Sequence, residues 1–231
     1  MSEAKRGAGR RAAEYVIDGM SVGLGTGSTV LHTLERLAER IQEEHLSIRG
    51  IPTSIDTESK AQELGIPLTG FAEVGSLDLT IDGADEIDGS LDMIKGGGGA
   101  LLREKVVAAA SKRQIVVVDR TKLVERLGLE VLLPIEVIPF ARNNVVRWLE
   151  HLDAEPTLRV HGEHSAAYLT DNGNEILDCR FPGGIEDPAD LERRLAAIPG
   201  VIESGLFVGL CNVVIIGDDD GSTEVREKPN P

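Results

Sequence analysis

The chain has 231 residues, a formal net charge of −15 and only 3% aromatic residues. That acidic balance excludes a nucleic-acid partner, which needs a face rich in Lys and Arg, and argues against an anionic membrane surface for the same reason. No apolar run approaches the roughly 18 residues of a membrane span, and Met1–Arg11 is polar without a signal-peptide core, so a cytoplasmic protein is expected.

In chain order, residues 3–17 form a helix with Ala8, Ala12, Ala13 and Val16 on its apolar side, ended by Asp18-Gly19. Lys5 lies in the first turn, where a cation opposes the helix dipole, so it is either a solvated end or a ligand contact. A strand over 20–24 then runs into Gly25-Thr26-Gly27-Ser28-Thr29 and a helix from Val30 to about Glu44. Strand, glycine loop and helix make a phosphate cradle, because close-approaching backbone, two hydroxyls and free helix amides all favour an anion. The plain alternative is a tight turn with Ser28 as N-cap. A dinucleotide site fits poorly: Ser28 stands where the third fingerprint glycine belongs, and the strand over 48–51 ends in Pro52-Thr53-Ser54 with no acid for a ribose. A Walker loop fails for want of a lysine after the last glycine.

Thr53-Ser54 caps a helix through Leu64, and 66–69 is a short extended piece. Leu77, Leu79 and Ile81 alternate with polar residues as a strand does, and this strand ends in Asp82-Gly83-Ala84-Asp85-Glu86-Ile87-Asp88. Four carboxylates in seven positions repel one another, and the four glycines Gly96–Gly99 behind Lys95 cost conformational entropy, so neither is convenient scaffold. Together they read as an active site at the C-terminal end of a strand, where open α/β sheets bind ligands. A helix over 100–111 carries Arg103-Glu104-Lys105, and a buried strand over 115–118 ends at Asp119-Arg120-Thr121-Lys122. Lys122 is either a surface residue or part of the same site.

After Leu127-Gly128 the pattern changes to strand 132–137, helix 141–151, strand 157–160, a hairpin of 166–170 and 175–180 about a type I′ Asn172-Gly173 turn, and a helix from Asp187-Pro188 to Ala197. That order suits a small split βαβ unit. Runs 201–208 and 213–217 are expected to return to the main sheet. Asp218-Asp219-Asp220-Gly221 reads as a solvated turn, and His161-Gly162-Glu163-His164 lacks a third metal ligand. Cys179 and Cys211 lie in separate strand-like runs, as buried free thiols do. The scarcity of aromatics leaves Ala, Val, Ile and Leu to fill the core, which suits parallel strands covered by helices. Only seven basic residues are Lys, and acid-rich, lysine-poor composition suggests a salty, halophilic cytoplasm, the plain alternative being a merely acidic mesophile protein.

The stretches Gly23–Thr29, Asp82–Ile87, Lys95–Leu101 with Arg103-Glu104-Lys105, Glu136-Val137-Ile138-Pro139, Thr170–Asn174 and Ile198-Pro199-Gly200-Val201 resemble type A ribose-5-phosphate isomerase in order and spacing. The resemblance covers nearly the whole chain. It implies a Rossmann-like parallel-sheet main domain, 1–128 plus 204–231, with a small ferredoxin-like α+β domain, 129–203, inserted before the last strands. It further implies a homodimer or homotetramer, a sugar-phosphate substrate of the pentose phosphate pathway, and no metal or cofactor. By matching positions Glu104 is similar to the family's base, Asp82 and Asp85 to its sugar-handling acids, and Lys95 to its charge stabiliser. Thr26, Gly27, Ser28 and Thr29, with Lys5 and Lys122, resemble its phosphate contacts, and Gly83, Ala84, Gly96, Gly97 and Gly98 its further substrate contacts. Sequence spacing leaves open that Glu104 is a helix surface residue paired with a nearby base. Two rival classes remain: a glucosamine-6-phosphate deaminase or CoA-transferase relative, and a sugar-phosphate sensor. The deaminase would want a histidine in these loops, which hold none of the five. The sensor is expected to need an effector domain for which no length remains.

Overall fold

Short apolar runs alternating with amphipathic helices build the first of two packing units, the described part of residues 1–84, 103–123 and 209–231; the computed structural model describes residues 2–162 and 166–228. Its elements are α1 (Glu3–Ala13), β1 (Ser21–Leu24), α2 (Ser28–Glu43), β2 (Arg49–Pro52), α3 (Ile55–Glu63) and β3 (Leu79–Asp82), followed later by β6 (Gln114–Asp119), β14 (Val213–Gly217) and β15 (Thr223–Glu227). The sheet order is β15-β14-β6-β3-β1-β2, all neighbours parallel except the β14–β15 edge pair. β1, β3 and β14 are buried along their whole length, as strands covered on both faces must be. The order reverses between β1 and β3, so the crevice where such sheets bind ligands opens beside the ends of those two strands. Helix α1 contributes Ala8, Ala12 and Ala13 to the core with Leu34, Leu37, Ile81, Val117 and Ile215. The apolar stripe expected from residue 8 onward is therefore present, although the helix ends at Ala13 and Val16 joins the core from the following turn.

The second unit comprises the described part of 85–102 and 124–208. It contains β4 (Glu86–Ile87), β5 (Met93–Ile94), β7 (Leu133–Val137), α5 (Arg142–Glu150), β8 (Glu155–Leu158), β9 (Val160–His161), β10 (Ala166–Ala167), β11 (Glu175–Arg180), α6 (Pro188–Ala196), β12 (Val201–Ser204) and β13 (Leu206–Phe207). The sheet β12-β7-β11-β8 is antiparallel throughout, and with α5 and α6 as crossovers it is the ferredoxin-like arrangement. Leu133, Ile135, Leu149, Leu177, Leu191 and Leu195 form its core. Helix α4 (Leu101–Ala109) carries the chain between the units, Leu101 and Leu102 grouping with the second and Arg103 onward with the first.

Three expectations differ from the structure. Residues 201–208 do not return to the main sheet: β12 pairs with β7, and β13 pairs with β5, so only β14 joins the parallel strands. The same pairing groups 85–102 with 124–208, where the sequence suggested one inserted segment over 129–203. The 166–170/175–180 hairpin is reduced to a single Leu169–Glu175 bridge, because Ala166–Ala167 pairs with Val160–His161 instead. Its turn is also not type I′, since Gly173 has positive φ (77°) but Asn172 does not. Asn172 is drawn instead to Glu136, whose Oε1 accepts from Thr170 Oγ1 at 2.9 Å, Asn174 Nδ2 at 2.8 Å and Asn172 Nδ2 at 3.3 Å. Of the histidine-rich loop, Glu163, His164 and Ser165 lie outside the described residues.

Candidate active site

In the first unit the candidate loop starts where β1 ends. Gly27, not Ser28, is the N-cap, and α2 begins at Ser28, two residues earlier than the apolar pattern suggests. Gly27 and Ser28 are exposed, so the first amides of a sixteen-residue helix open to solvent there. Lys5 donates from Nζ to Ser28 Oγ at 3.1 Å, which places the α1 lysine at that mouth.

Asp82, the last residue of β3, is fully buried and organises the loop. Its Oδ1 accepts the N–H of Thr26 at 3.0 Å and of Gly83 at 2.8 Å. Such contact requires glycine at 25, since a Cβ there would lie 2.3 Å from Asp82 Oδ1. The Thr26 hydroxyl turns inward, 2.8 Å from both Thr53 Oγ1 and Ser54 Oγ and 3.1 Å from Thr57 Oγ1. Ser54 also caps α3 through Thr57 N, and Thr57 Oγ1 donates to Gly25 O at 2.9 Å. The support from Thr53, Ser54 and Thr57 is absent from the sequence reading, although three hydroxyl residues at the end of β2 and the start of α3 were its available signal. Lys122 sits in a 3-10 turn after β6 that Asp119 caps through Thr121 N. Glu104 occupies the first turn of α4 and is 5% exposed, so it is not a solvated surface residue.

In the second unit Asp85 follows Ala84 across the boundary, and its Oδ2 accepts the Gly97 N–H at 2.7 Å. Lys95 is 2% exposed, its backbone tied to Gly205 O at 2.9 Å and its Nζ 5.4 Å from the centre of the Phe207 ring. Gly96 and Gly99 have φ of 100° and 86°, conformations open to glycine, and Gly97 and Gly98 between them are exposed.

The acidic stretch is not one cluster. Glu86 is buried and accepts the N–H groups of Gly128 (2.7 Å), Val131 (2.9 Å) and Glu130 (3.1 Å), which makes it the anchor of the 128–131 loop. Asp88 caps a turn through Ser90 and Asp92 N–H groups, and burial holds its carboxyl above the usual range. The repulsion inferred from four neighbouring acids is thus relieved by dispersal, and Asp82 and Asp85 remain as the candidates. Both cysteines are buried free thiols. Among the described residues no cluster of three or more His, Cys, Asp or Glu is suited to a metal, and no helix is long and apolar enough to cross a membrane.

Residues 49–221 match the sequence profile of the family described as Ribose 5-phosphate isomerase A (phosphoriboisomerase A). A protein of that name from Bacillus cereus is 51% identical over 96% of this chain and 99% of its own length. One from Gloeobacter violaceus is 55% identical over 94% of this chain and 93% of its own. A solved D-ribose-5-phosphate isomerase structure in complex with phospho-erythronic acid superposes with a TM-score of 0.93 at 39% identity, covering 96% of this chain and 97% of that one. Relatives this similar in Bacillus argue against the salty-cytoplasm expectation. Part of the acidic surface is paired in place, as where Arg36 meets Glu14, Glu39 and Glu44. With about half its residues shared over nearly its full length, the chain belongs to the ribose 5-phosphate isomerase A family.

Proposed function

We propose that the chain interconverts D-ribose 5-phosphate and D-ribulose 5-phosphate through an enediolate, with Glu104 moving the proton between C2 and C1. The observation that carries this reading is the burial of Glu104, 5% exposed on the first turn of the helix that follows the glycine run. Shuttling a proton between adjacent carbons needs one carboxylate that reaches both, with donors or a cation where enediolate charge develops. Lys95, 2% exposed, is suited to the second task, since a cation shielded from water acts more strongly.

Asp82, Asp85, Gly83, Ala84, Gly96, Gly97 and Gly98 handle the sugar in this reading. Gly27, Ser28 and Thr29 take the phosphate with Lys5 and Lys122. Thr26 shapes the cradle, since its N–H and hydroxyl are both engaged within the protein. The related structure is a complex with phospho-erythronic acid, a phosphorylated sugar acid, which supports a sugar-phosphate substrate for this chain. The reaction requires neither cofactor nor metal. We read the protein as a cytoplasmic homodimer or homotetramer of the non-oxidative pentose phosphate pathway.

The test is Glu104→Gln, which keeps the side chain's shape but cannot accept a proton. The expected kcat loss is about 10²- to 10⁴-fold, the usual contribution of a general base, with KM little changed. With substrate deuterated at C2, the wild type loses or transfers label and the folded variant does neither. Retention of about a tenth of the rate, far above that range, would remove Glu104 as the base and turn attention to Asp82 and Asp85.

A further inference from the structure

Glycine has the largest conformational freedom to lose, so a run of four needs outside restraint if its peptides are to hold one orientation. That restraint comes from the base of the β9–β10 hairpin. Arg159 Nη1 donates to Gly96 O and to Gly97 O, both at 3.1 Å, and Tyr168 Oη donates to Gly98 O at 3.2 Å. Three consecutive carbonyls are thereby held from one side. Arg159 and Tyr168 are tied to each other, with Tyr168 N–H donating to Arg159 O at 2.9 Å and the guanidinium 5.7 Å from the ring centre. The remaining edge of the guanidinium is gripped by Asp178 of β11, Nε to Oδ2 at 2.8 Å and Nη2 to Oδ1. Arg159 is 16% exposed and Asp178 19%, so this fork works largely out of solvent. Glu136 anchors the chain just beyond Tyr168 through Thr170.

A trans peptide points its N–H opposite to its C=O. Fixing the carbonyls of Gly96, Gly97 and Gly98 therefore fixes the N–H groups of Gly97, Gly98 and Gly99. The Gly97 N–H goes to Asp85 Oδ2 and the Gly99 N–H to Gly96 O. We infer that Arg159 and Tyr168, braced by Asp178, are positioning residues for the isomerisation: they set the peptide orientations of Gly96–Gly99, and with them the placement of Asp85 and Lys95 toward the sugar. The inference rests on the isomerase reading. Both side chains act through the backbone they hold.

The experiment compares Arg159→Ala, Arg159→Lys and Tyr168→Phe in the full chain with ribose 5-phosphate as substrate. Misplacement of reacting groups by about 1 Å costs up to about 10²-fold, so Arg159→Ala is expected to lower kcat roughly 10- to 100-fold with KM changed less than about threefold. Guanidinium ion at sub-denaturing concentration is expected to restore part of that loss, which a merely structural defect would not permit. Arg159→Lys, which keeps the charge but not the fork, falls between Ala and wild type. Tyr168→Phe, which removes one hydroxyl, lowers kcat several-fold. A folded Arg159→Ala enzyme with near-wild-type kcat, or a loss that guanidinium leaves unchanged, overturns the inference. Should Arg159→Ala fail to fold, wild-type kcat in Tyr168→Phe overturns it equally. Failure of the isomerase reading is a separate outcome, seen as a wild-type protein that does not turn over ribose 5-phosphate.

Discussion

Gly25→Ala tests how tightly the Gly25–Thr29 loop and Asp82 are joined. An added Cβ would lie 2.3 Å from Asp82 Oδ1, 2.4 Å from Cγ and 2.6 Å from Cα, against an ordinary contact of 3.4 Å or more, so something must move by about 1 Å. Asp82 cannot simply rotate away, because Oδ1 holds the N–H groups of Thr26 and Gly83 and the side chain is fully buried. Overpacking of this kind costs about 1–3 kcal/mol, and weakening an amide bond to a buried carboxylate adds to it, so about 2–4 kcal/mol of stability is expected to be lost. Activity is expected to fall by up to about 10²-fold as the loop and Asp82 part. Urea unfolding measures the first effect and steady-state kinetics the second. Gly83→Ala is the stability control, since its Cβ would meet only Val117 O at 3.8 Å and Thr26 O at 3.9 Å. Equal destabilisation by the two substitutions, or a Gly25→Ala loss below about 0.5 kcal/mol, the level of an ordinary surface change, would refute the close junction.

On the proposed reading Ser28 and Lys122 contact the phosphate, so Ser28→Ala and Lys122→Ala are expected to raise KM more than they lower kcat, since such contacts bind ground and transition states alike; a pure kcat effect moves these residues into the chemistry. Asp78 is held below the usual carboxylate range, first by its hydrogen bond from Lys112 and then by the Ser21 N–H. A depressed carboxylate stabilises the fold above its unfolded pKa and loses that contribution as pH falls through the folded value. Asp78→Ala is therefore expected to cost about 1 kcal/mol at pH 7, and urea titrations near pH 3 and below should show the gap closing. Burial pushes the Cys179 thiol up, so neither Cys179 nor Cys211 is expected to react with a thiol reagent until urea unfolds the chain; rapid labelling of the native protein would contradict their burial.

What was legible in the sequence is what local pattern encodes. Ile115–Val118 read as a buried strand because nothing polar interrupts it, Leu77, Leu79 and Ile81 read as a strand by alternating with polar residues, and the loops at the strand ends marked Thr26–Thr29, Asp82 and Lys122. Partner choice was not legible. Glu86 and Asp85 are adjacent carboxylates, yet one anchors the 128–131 loop and the other holds Gly97, a difference decided by residues more than ten positions away. The run from Val201 to Val208 looked like one strand, but β12 and β13 separate at Gly205, where the backbone passes so close to Lys95 O that a Cβ would sit 2.3 Å from it. Arg159 and Tyr168 gave no signal at all, because an arginine and a tyrosine beside short strands are ordinary residues.

The charge of the chain sharpens what the proposed phosphate site must do. A substrate bearing about two negative charges approaches a protein of net charge −15, and the average field opposes it. Screening removes most of that field beyond roughly 8 Å at physiological salt, so capture depends on groups within the last few ångströms. Arginines contribute little there: Arg10 is bound to Glu39 through both terminal nitrogens at 2.8 Å, Arg40 to Glu44, and Arg120 to Asp218 and Glu224. A guanidinium already forked onto a carboxylate has spent the geometry that would hold a phosphate. Lysine 5 differs, since its nearest partner at the loop is a neutral hydroxyl, Ser28 Oγ, and its charge is not cancelled there. The contrast follows from side-chain chemistry: planar arginines such as Arg10 and Arg120 are forked onto carboxylates, and Lys60 and Lys112 are paired with Asp56 and Asp78, whereas Lys5 presents a compact point charge beside the Ser28 hydroxyl.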